Sequence, residues 1–245
     1  MLSSSVLEQL RQITTTSTER FVIAYSGGCD SHVLLHVVAS AMKTLPVTNI
    51  HAIHINHGLQ KDSDRWAEHC KQVCDDLGVT IDVVELKLCV PKGESIEAFA
   101  RQHRYHALQQ HLTCNDICLL AQHQDDQVET FFLQMLRGAG VKGLSSMPAN
   151  KTIDGIRYFR PLLNLTRKDI LEYASQQQLD WIDDPSNDDT RFDRNYLRHD
   201  VIPVLKQRWP ALNDIIMRVT SHQAEAAECL NELAALDFQS EQNDP

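Results

Sequence analysis

Several short stretches of this sequence bring reactive side chains to spacings that local structure can gather. The first is Ser26, Gly27, Gly28, Cys29, Asp30 and Ser31. Before it, Phe21 to Tyr25 is an apolar, β-branched and aromatic run that reads as a buried strand. After it, Val33, Leu34, Val37, Val38, Ala41 and Met42 recur at helical spacing. A strand, a glycine turn and a helix start make a seat for an anion, because bare backbone N–H groups and the positive end of the helix dipole face one point. The same residues also suit an ordinary glycine turn ahead of a helix capped by Ser or Asp. A Walker loop needs G-x-x-x-x-G-K-S/T and a dinucleotide loop needs G-x-G-x-x-G, and neither spacing occurs here.

The second stretch, His123 to Thr130, carries Asp125, Asp126 and Glu129 at a predicted helix start. Glu129 falls one turn beyond the aspartates, so the side chains share a face. They suit Mg²⁺, together with Asp30, or the positioning of an amine; the plainer reading is acids stabilising a helix N-terminus. His54 and His57 end a second predicted strand, where either could touch a nucleotide or serve the core. Arg101 and Arg104 lie on successive turns of a third helix. They form either a solvated face or a guanidinium clamp for phosphate. The run from Asp183 to Arg198 holds Asp183, Asp184, Asn187, Arg194, Asn195 and Arg198. Carboxylates there could take an ammonium group and arginines a nucleic-acid backbone; a charged linker with Asx turns is the alternative.

The surrounding elements alternate. Strands are expected at Phe21–Tyr25, around Ile50–Ile55, at Thr80–Leu88, at Ile117–Gln122 and over the run beginning at Ile156. Helices are expected around Val6–Ile13, from Asp30, at Ser63–Leu77, from Ser95 to Leu112, from His123 to Leu136 and from Thr166, where Thr166 and Asp169 make a capping pair. Pro91–Glu94 and Val141–Gly155 read as loops. Such alternation builds a Rossmann-like α/β fold, a parallel sheet with helices on both faces, whose ligands sit at the carboxyl ends of the strands. The phosphate-type loop, His54 to Gly58 and His123 to Glu129 all fall at such ends. Beyond Trp181 turn formers and then charges dominate, and Ala211–Leu236 keeps the spacing of a long helix. The expected division is residues 1–209 as a catalytic domain and 210–245 as a small helical C-terminal segment, the start of a linker or further domain. Gln239–Pro245 reads as disordered.

At 245 residues the chain can bury one large core, and no apolar run is long enough to span a membrane. The N-terminus lacks the pattern of a secretory signal. Seven cysteines, an odd number without any C-x-x-C, suit reduced thiols in a cytoplasmic protein, with Cys70 and Cys74 as core packing. The net charge of −10 argues against nucleic acid as a partner unless the basic residues of the second half share one face.

The motifs AYSGGCDSHVLLH, AIHINHGL, EAFARQHRYHAL, LLAQHQDDQVETFFLQMLRGAG, RPLL and WIDDPSN with DRNYLR and VIPVL stand in this order between Phe21 and Trp209. Together they resemble the tRNA(Ile)-lysidine synthetase family of the N-type ATP pyrophosphatases, the PP-loop superfamily. The resemblance implies an adenine nucleotide α-hydrolase-like fold, ATP and Mg²⁺ as cofactors, and free L-lysine and tRNA(Ile) with a CAU anticodon as partners. It implies a ligase that adenylates carbon 2 of the wobble cytidine and then lets the lysine ε-amine displace AMP. On that basis Ser26 to Ser31 and His54 bind the nucleotide, and Asp30 and Asp126 hold the metal. Asp30, Arg104, His123, Asp126 and Glu129 are catalytic candidates, and Asp125, Asp183, Asp184, Asn187, Arg194, Asn195 and Arg198 bind substrate. Larger family members carry further C-terminal domains, so a chain ending at Pro245 is expected to be a truncated or short form. The oligomeric state stays open, a homodimer being one arrangement. A tRNA thiolase, an amidotransferase-type synthetase of the same superfamily and a non-catalytic ATP-binding module are the alternatives.

Overall fold

A computed structural model describes residues 2–15, 18–47, 49–58, 62–86 and 96–242. The expected loop at Pro91–Glu94, the cap at Ser95, the strand end at Lys87 and Leu88, residues 243–245, and the side chains of Ile96 and of residues 239–242 lie outside the described residues; the backbone of 239–242 is helical, which corrects the disorder expected from Gln239. In chain order the elements are α1 (Leu2–Ile13), β1 (Arg20–Ala24), α2 (Cys29–Ser40), β2 (Asn49–Asn56), α3 (Ser63–Asp76), β3 (Thr80–Glu85), α4 (Ile96–Gln110), β4 (Asp116–Leu119), α5 (Gln124–Leu136) and α6 (Val141–Leu144). There follow β5 (Asn150–Ile153), β6 (Ile156–Phe159), α7 (Arg167–Gln176), α8 (Asp193–Tyr196), a π-helical turn at Leu197–Val201, α9 (Ile202–Arg208) and α10 (Leu212–Gln242). The chain divides into two compact units, Met1–His123 with Ala149–Asp184, and Gln124–Pro148 with Pro185–Pro245. This division does not follow the expected boundary at residue 209. The reason is that α5 packs with α6, α8 and α10, around a separate core of Val128, Phe131, Leu197, Ile202, Leu212 and Ile216.

The first unit is a six-stranded sheet in the order β3-β2-β1-β4-β6-β5. All neighbours run parallel except β5 and β6, which form an antiparallel hairpin. The strand period of two is visible in β1. Phe21 and Ile23 enter one core with Val33, Leu34 and Leu35 of α2, while Val22 enters the other with Leu108 of α4 and Tyr158 of β6. Helix α2 is apolar on nearly every side because it lies among β1, β2, α1 and α7. Burying each of its valines and leucines stabilises the unit by about 1.5–3 kcal/mol, which fixes the helix start that carries Asp30. Strand order reverses direction between β1 and β4, so the crevice for a ligand opens at the carboxyl ends of those two strands.

The hairpin corrects the expected loop at Val141–Gly155. Asp154 and Gly155 both have positive φ, 51° and 80°, the turn that joins two short antiparallel strands. On α5, Val128 and Phe131 are buried as their spacing predicts, but Met135 and Leu136 are exposed. Capping at Thr166 takes the expected form. The Thr166 hydroxyl accepts from Asp169 N–H and the Asp169 carboxylate accepts from Thr166 N–H. Among the described residues no helix is long and apolar enough to cross a membrane.

Candidate functional site

The first unit builds an anion seat where β1 gives way to α2. Gly27 has φ +86°, and a Cβ there would stand 2.8 Å from Ile182 Cδ1 and 2.9 Å from Cys70 Sγ. Glycine is therefore required twice over, by conformation and by space. Gly28 differs: its φ is −76°, and a Cβ would meet Ser26 Oγ at 3.6 Å, ordinary contact. Space within the fold therefore does not require glycine at this position. Two hydroxyls stitch the turn. Ser31 Oγ donates to the Gly28 carbonyl at 3.0 Å and lies 3.0 Å from Ser26 Oγ, and Ser26 N–H donates to Ser31 Oγ at 3.2 Å. From outside, Ile182 N–H donates to the Gly27 carbonyl at 3.0 Å. Because C=O and N–H of one peptide point opposite ways, this turns the Gly28 N–H to the other side of the loop, where it donates to Ser26 Oγ at 3.4 Å. Gly28 is the N-cap of α2, with no side-chain cap. The first-turn amides of the helix thus have no acceptor one turn back, and they meet the dipole's positive end.

Asp30, in that first turn, faces two basic groups. Arg167 Nη1 lies 3.3 and 3.2 Å from its two carboxylate oxygens. His123, which follows β4, places Nε2 3.6 Å from Asp30 Oδ2. Asp30 and the hydroxyls of Ser26 and Ser31 are hard oxygen donors of the kind Mg²⁺ takes, and Mg²⁺ commonly completes its shell with water and substrate phosphates. Among the described residues no group of three or more His, Cys, Asp or Glu is arranged to hold a metal ion. One partly buried carboxylate beside a phosphate seat therefore fits magnesium, and a closed protein cage is not what these residues form.

His54 is buried, and its Nδ1–H faces the Tyr25 carbonyl at 3.0 Å and Cys70 Sγ at 3.4 Å. It thereby props the end of β1 beneath the turn. Burial lowers its pKa. His57 is pushed down to about 4, by burial first and then by the charge of Arg104 and by His54. The charge of Arg104 is thus felt at His57, which stays neutral near pH 7. Arg101 stacks over Tyr105 at 5.3 Å. Arg160, which follows β6, is buried and donates to Gln122 Oε1 at 3.0 Å. Cys29 is pushed up to about 11, chiefly by burial and then by the charge of Asp30. Cys70 and Cys74 are pushed up to about 12 by burial, as core thiols would be.

The second unit builds a cluster of opposite character. Helix α5 opens on acids, and α8 with the π-helical turn delivers two arginines onto them. Arg194 Nη2 lies 2.7 Å from Asp126 Oδ1 and its Nε 2.7 Å from Glu129 Oε2. Arg198 reaches Glu129 at 2.6 and 2.9 Å and Asp126 at 3.3 Å. Glu129 is 1% exposed. Burial opposes the charge on Arg198, but the hydrogen bond and charge of Glu129, with Asp126, outweigh it and raise its pKa. Asp125 accepts from Lys206 Nζ at 2.7 Å and from Asn213 Nδ2 at 3.1 Å. Each acid of the sequence stretch is thus matched by a cation from α8, the π-helical turn or α9.

The expected site residues therefore gather in two groups. Ser26 to Ser31, His54, Arg104 and His123 belong to the first unit, as do Asp183 and Asp184; Asp183 accepts from Trp181 Nε1 at 3.0 Å. Asp125, Asp126, Glu129, Asn187, Arg194, Asn195 and Arg198 belong to the second. Asn195 is a brace, donating to the carbonyls of Ser186 and Asp189 at 2.8 and 3.0 Å, and the Asn187 carbonyl faces His199 Nε2 at 3.0 Å. The residues missed from sequence are Arg167, Ile182, Arg160 and Lys206. Only Arg167 had a local signal, its place one residue after the Thr166 cap.

A parallel sheet that reverses order at a glycine-cornered anion seat defines an adenine nucleotide α-hydrolase-like protein. The chain belongs to the PP-loop domain family, which it matches over residues 2–205. It is 47% identical over 236 residues to a tRNA(Ile)-lysidine synthase of Coxiella burnetii, covering 96% of this chain and 52% of the relative. To a protein of the same name from Pseudomonas syringae pv. tomato it is 44% identical over 241 residues, covering 98% and 53%. The chain thus spans about half the length of the curated relatives it matches. Among solved structures, a U34-tRNA thiolase from Methanococcus maripaludis superposes with a TM-score of 0.75 at 17% identity. It covers 91% of this chain and 78% of that one, a likeness of fold.

Proposed function

We propose that this chain is the ATP-using part of a tRNA(Ile)-lysidine synthetase, acting in the cytoplasm on tRNA(Ile) with a CAU anticodon and on free L-lysine. The observation that carries the reading is the 47% identity, along 96% of the chain, to a relative of that name. Amides of the Ser26–Ser31 turn hold the β and γ phosphates, and Asp30 is the residue that would hold Mg²⁺. The metal, when bound, neutralises phosphate charge and polarises the α-phosphate. Oxygen 2 of the wobble cytidine attacks the α-phosphorus, a P–O bond forms, and pyrophosphate leaves with the electrons of the broken α–β bond. Arg104 stabilises the charge that develops at the α-phosphate, and His123 lies beside the reacting base. The lysine ε-amine then attacks carbon 2 and AMP departs with its oxygen.

The amine must be neutral to attack, and its reference pKa is about 10.4, so a nearby group has to accept a proton. The mixed cluster of Asp126, Glu129, Arg194 and Arg198 suits an amino acid, which itself carries both signs. Arg194 holds Asp126 Oδ1 at 2.7 Å, which favours a role for Asp126 towards the amine over one towards magnesium. Incubation of the protein with radiolabelled lysine, ATP and tRNA(Ile) bearing CAU, followed by nucleoside analysis, tests the reading. Lysidine and stoichiometric AMP are expected. AMP release that ignores lysine and tRNA would replace it with a different ATP pyrophosphatase.

A further inference from the structure

The phosphate turn has no cation within its own sequence, from Ser26 to Ser31. The fold brings one from far along the chain: Arg167, the first residue of α7, stands against Asp30. The way it stands there is informative. A guanidinium committed to a carboxylate makes short, paired bonds of about 2.7–2.9 Å. Arg194 and Arg198 do this in the second unit, at 2.6 and 2.7 Å. Arg167 instead meets Asp30 through one nitrogen at 3.2 and 3.3 Å, and its side chain is 41% exposed. Such a pair contributes little to stability and is readily exchanged. It sits at the rim of a seat whose amides and helix dipole already favour an anion.

We propose that Arg167 is a pyrophosphate-binding residue. The inference rests on the nucleotide reading of the same turn. In the free protein Asp30 is a partner of Arg167; on nucleotide binding the guanidinium passes to the outer phosphates. Arginine suits this task because its planar fork spans two phosphate oxygens. The exchange also releases the Asp30 carboxylate, so that one residue serves as placeholder for the ligand of the other. No bond is made or broken in the step; two ion pairs trade partners. The capping pair of Thr166 and Asp169 fixes the start of α7, so Arg167 is held at its root and moves only in its side chain. Recognition of the two outer phosphates, separate from that of AMP, follows from its position.

Equilibrium binding of inorganic pyrophosphate, ATP and AMP, each with Mg²⁺, to the wild-type protein, Arg167→Gln and Arg167→Lys tests this. Arg167→Gln is expected to bind pyrophosphate and ATP at least tenfold more weakly and AMP within twofold of wild type, with Arg167→Lys recovering part of the loss. Thermal melting without ligand should be nearly unchanged in both variants. Unaltered pyrophosphate binding in Arg167→Gln would overturn the inference and leave the nucleotide reading intact. An equal loss for pyrophosphate and AMP would overturn it too, marking Arg167 as a structural partner of Asp30. A wild-type protein that binds neither ATP nor pyrophosphate would remove the nucleotide reading and this inference with it.

Discussion

The phosphate turn of the first unit and the carboxylate cluster of the second solve opposite problems. The turn is built from backbone, two serine hydroxyls and one long, partly exposed ion pair, with Asp30 and Arg167 at 3.2 Å. The cluster is built from side chains, with Glu129 nearly inaccessible and held by two arginines at 2.6 and 2.7 Å. Polar groups in the turn are left able to receive a ligand, whereas charges in the cluster already neutralise one another. The lesson is that a concentration of acids in a sequence does not reveal whether their charge is available. The cations that answer Asp126 and Glu129 lie more than sixty residues away along the chain.

If this contrast is right, the largest stability effect belongs to the cluster. Glu129→Gln leaves Arg194 and Arg198 without a full counter-charge in a buried place, and a loss of about 3–5 kcal/mol is expected in urea unfolding. A loss below about 1 kcal/mol would show that the cluster is solvated after all. A second effect comes from imidazoles packed behind the turn. Burial, then His69 and His36, push His32 down to about 4. Above pH 6.5 neither folded nor unfolded state is protonated there, so His32 costs nothing. As pH falls below 6.5 the unfolded state takes up a proton that the folded state refuses, and stability drops until pH 4. Between pH 7 and 5 His32 should contribute about 2 kcal/mol of the drop, so the drop should be smaller by about that amount in His32→Phe, the rest coming from the other buried imidazoles, His57 among them.

Gly27→Ala should cost about 1–3 kcal/mol through its positive φ and the contacts with Ile182 and Cys70. It should also weaken ATP binding at least tenfold. Gly28→Ala sharpens the point, because the fold should survive while binding still falls. The smallest stability effect is expected for Asp30→Asn, within about 1 kcal/mol, set against the loss in Glu129→Gln. Comparable losses in the two variants would erase the distinction between the regions.

Much of the first unit is legible in the sequence because its signals are local. The alternation of Phe21, Val22 and Ile23, the spacing of α2 and the Thr166 cap each depend on a few neighbouring residues. The β5 strand escaped because Asn150–Ile153 is short and exposed at the sheet edge, although Asp154 and Gly155 carried the signal of a turn. The division into units could not be read, since it depends on α5 packing with helices seventy residues later. Arg167 and Ile182 escaped for the same reason. Nothing around Ile182 marks it as a neighbour of Gly27, and the Thr166 cap beside Arg167 places a helix start without pointing to Asp30.

The central claim is that the turn from Ser26 to Ser31 holds the outer phosphates of ATP. A crystal structure of the protein with Mg²⁺ and an ATP analogue that resists cleavage between the α and β phosphates tests it most directly. The β and γ phosphates are expected within hydrogen-bond distance of the amides that open α2, with Arg167 turned from Asp30 to meet them. A triphosphate bound elsewhere in the molecule, with the Asp30–Arg167 pair undisturbed, would contradict the account.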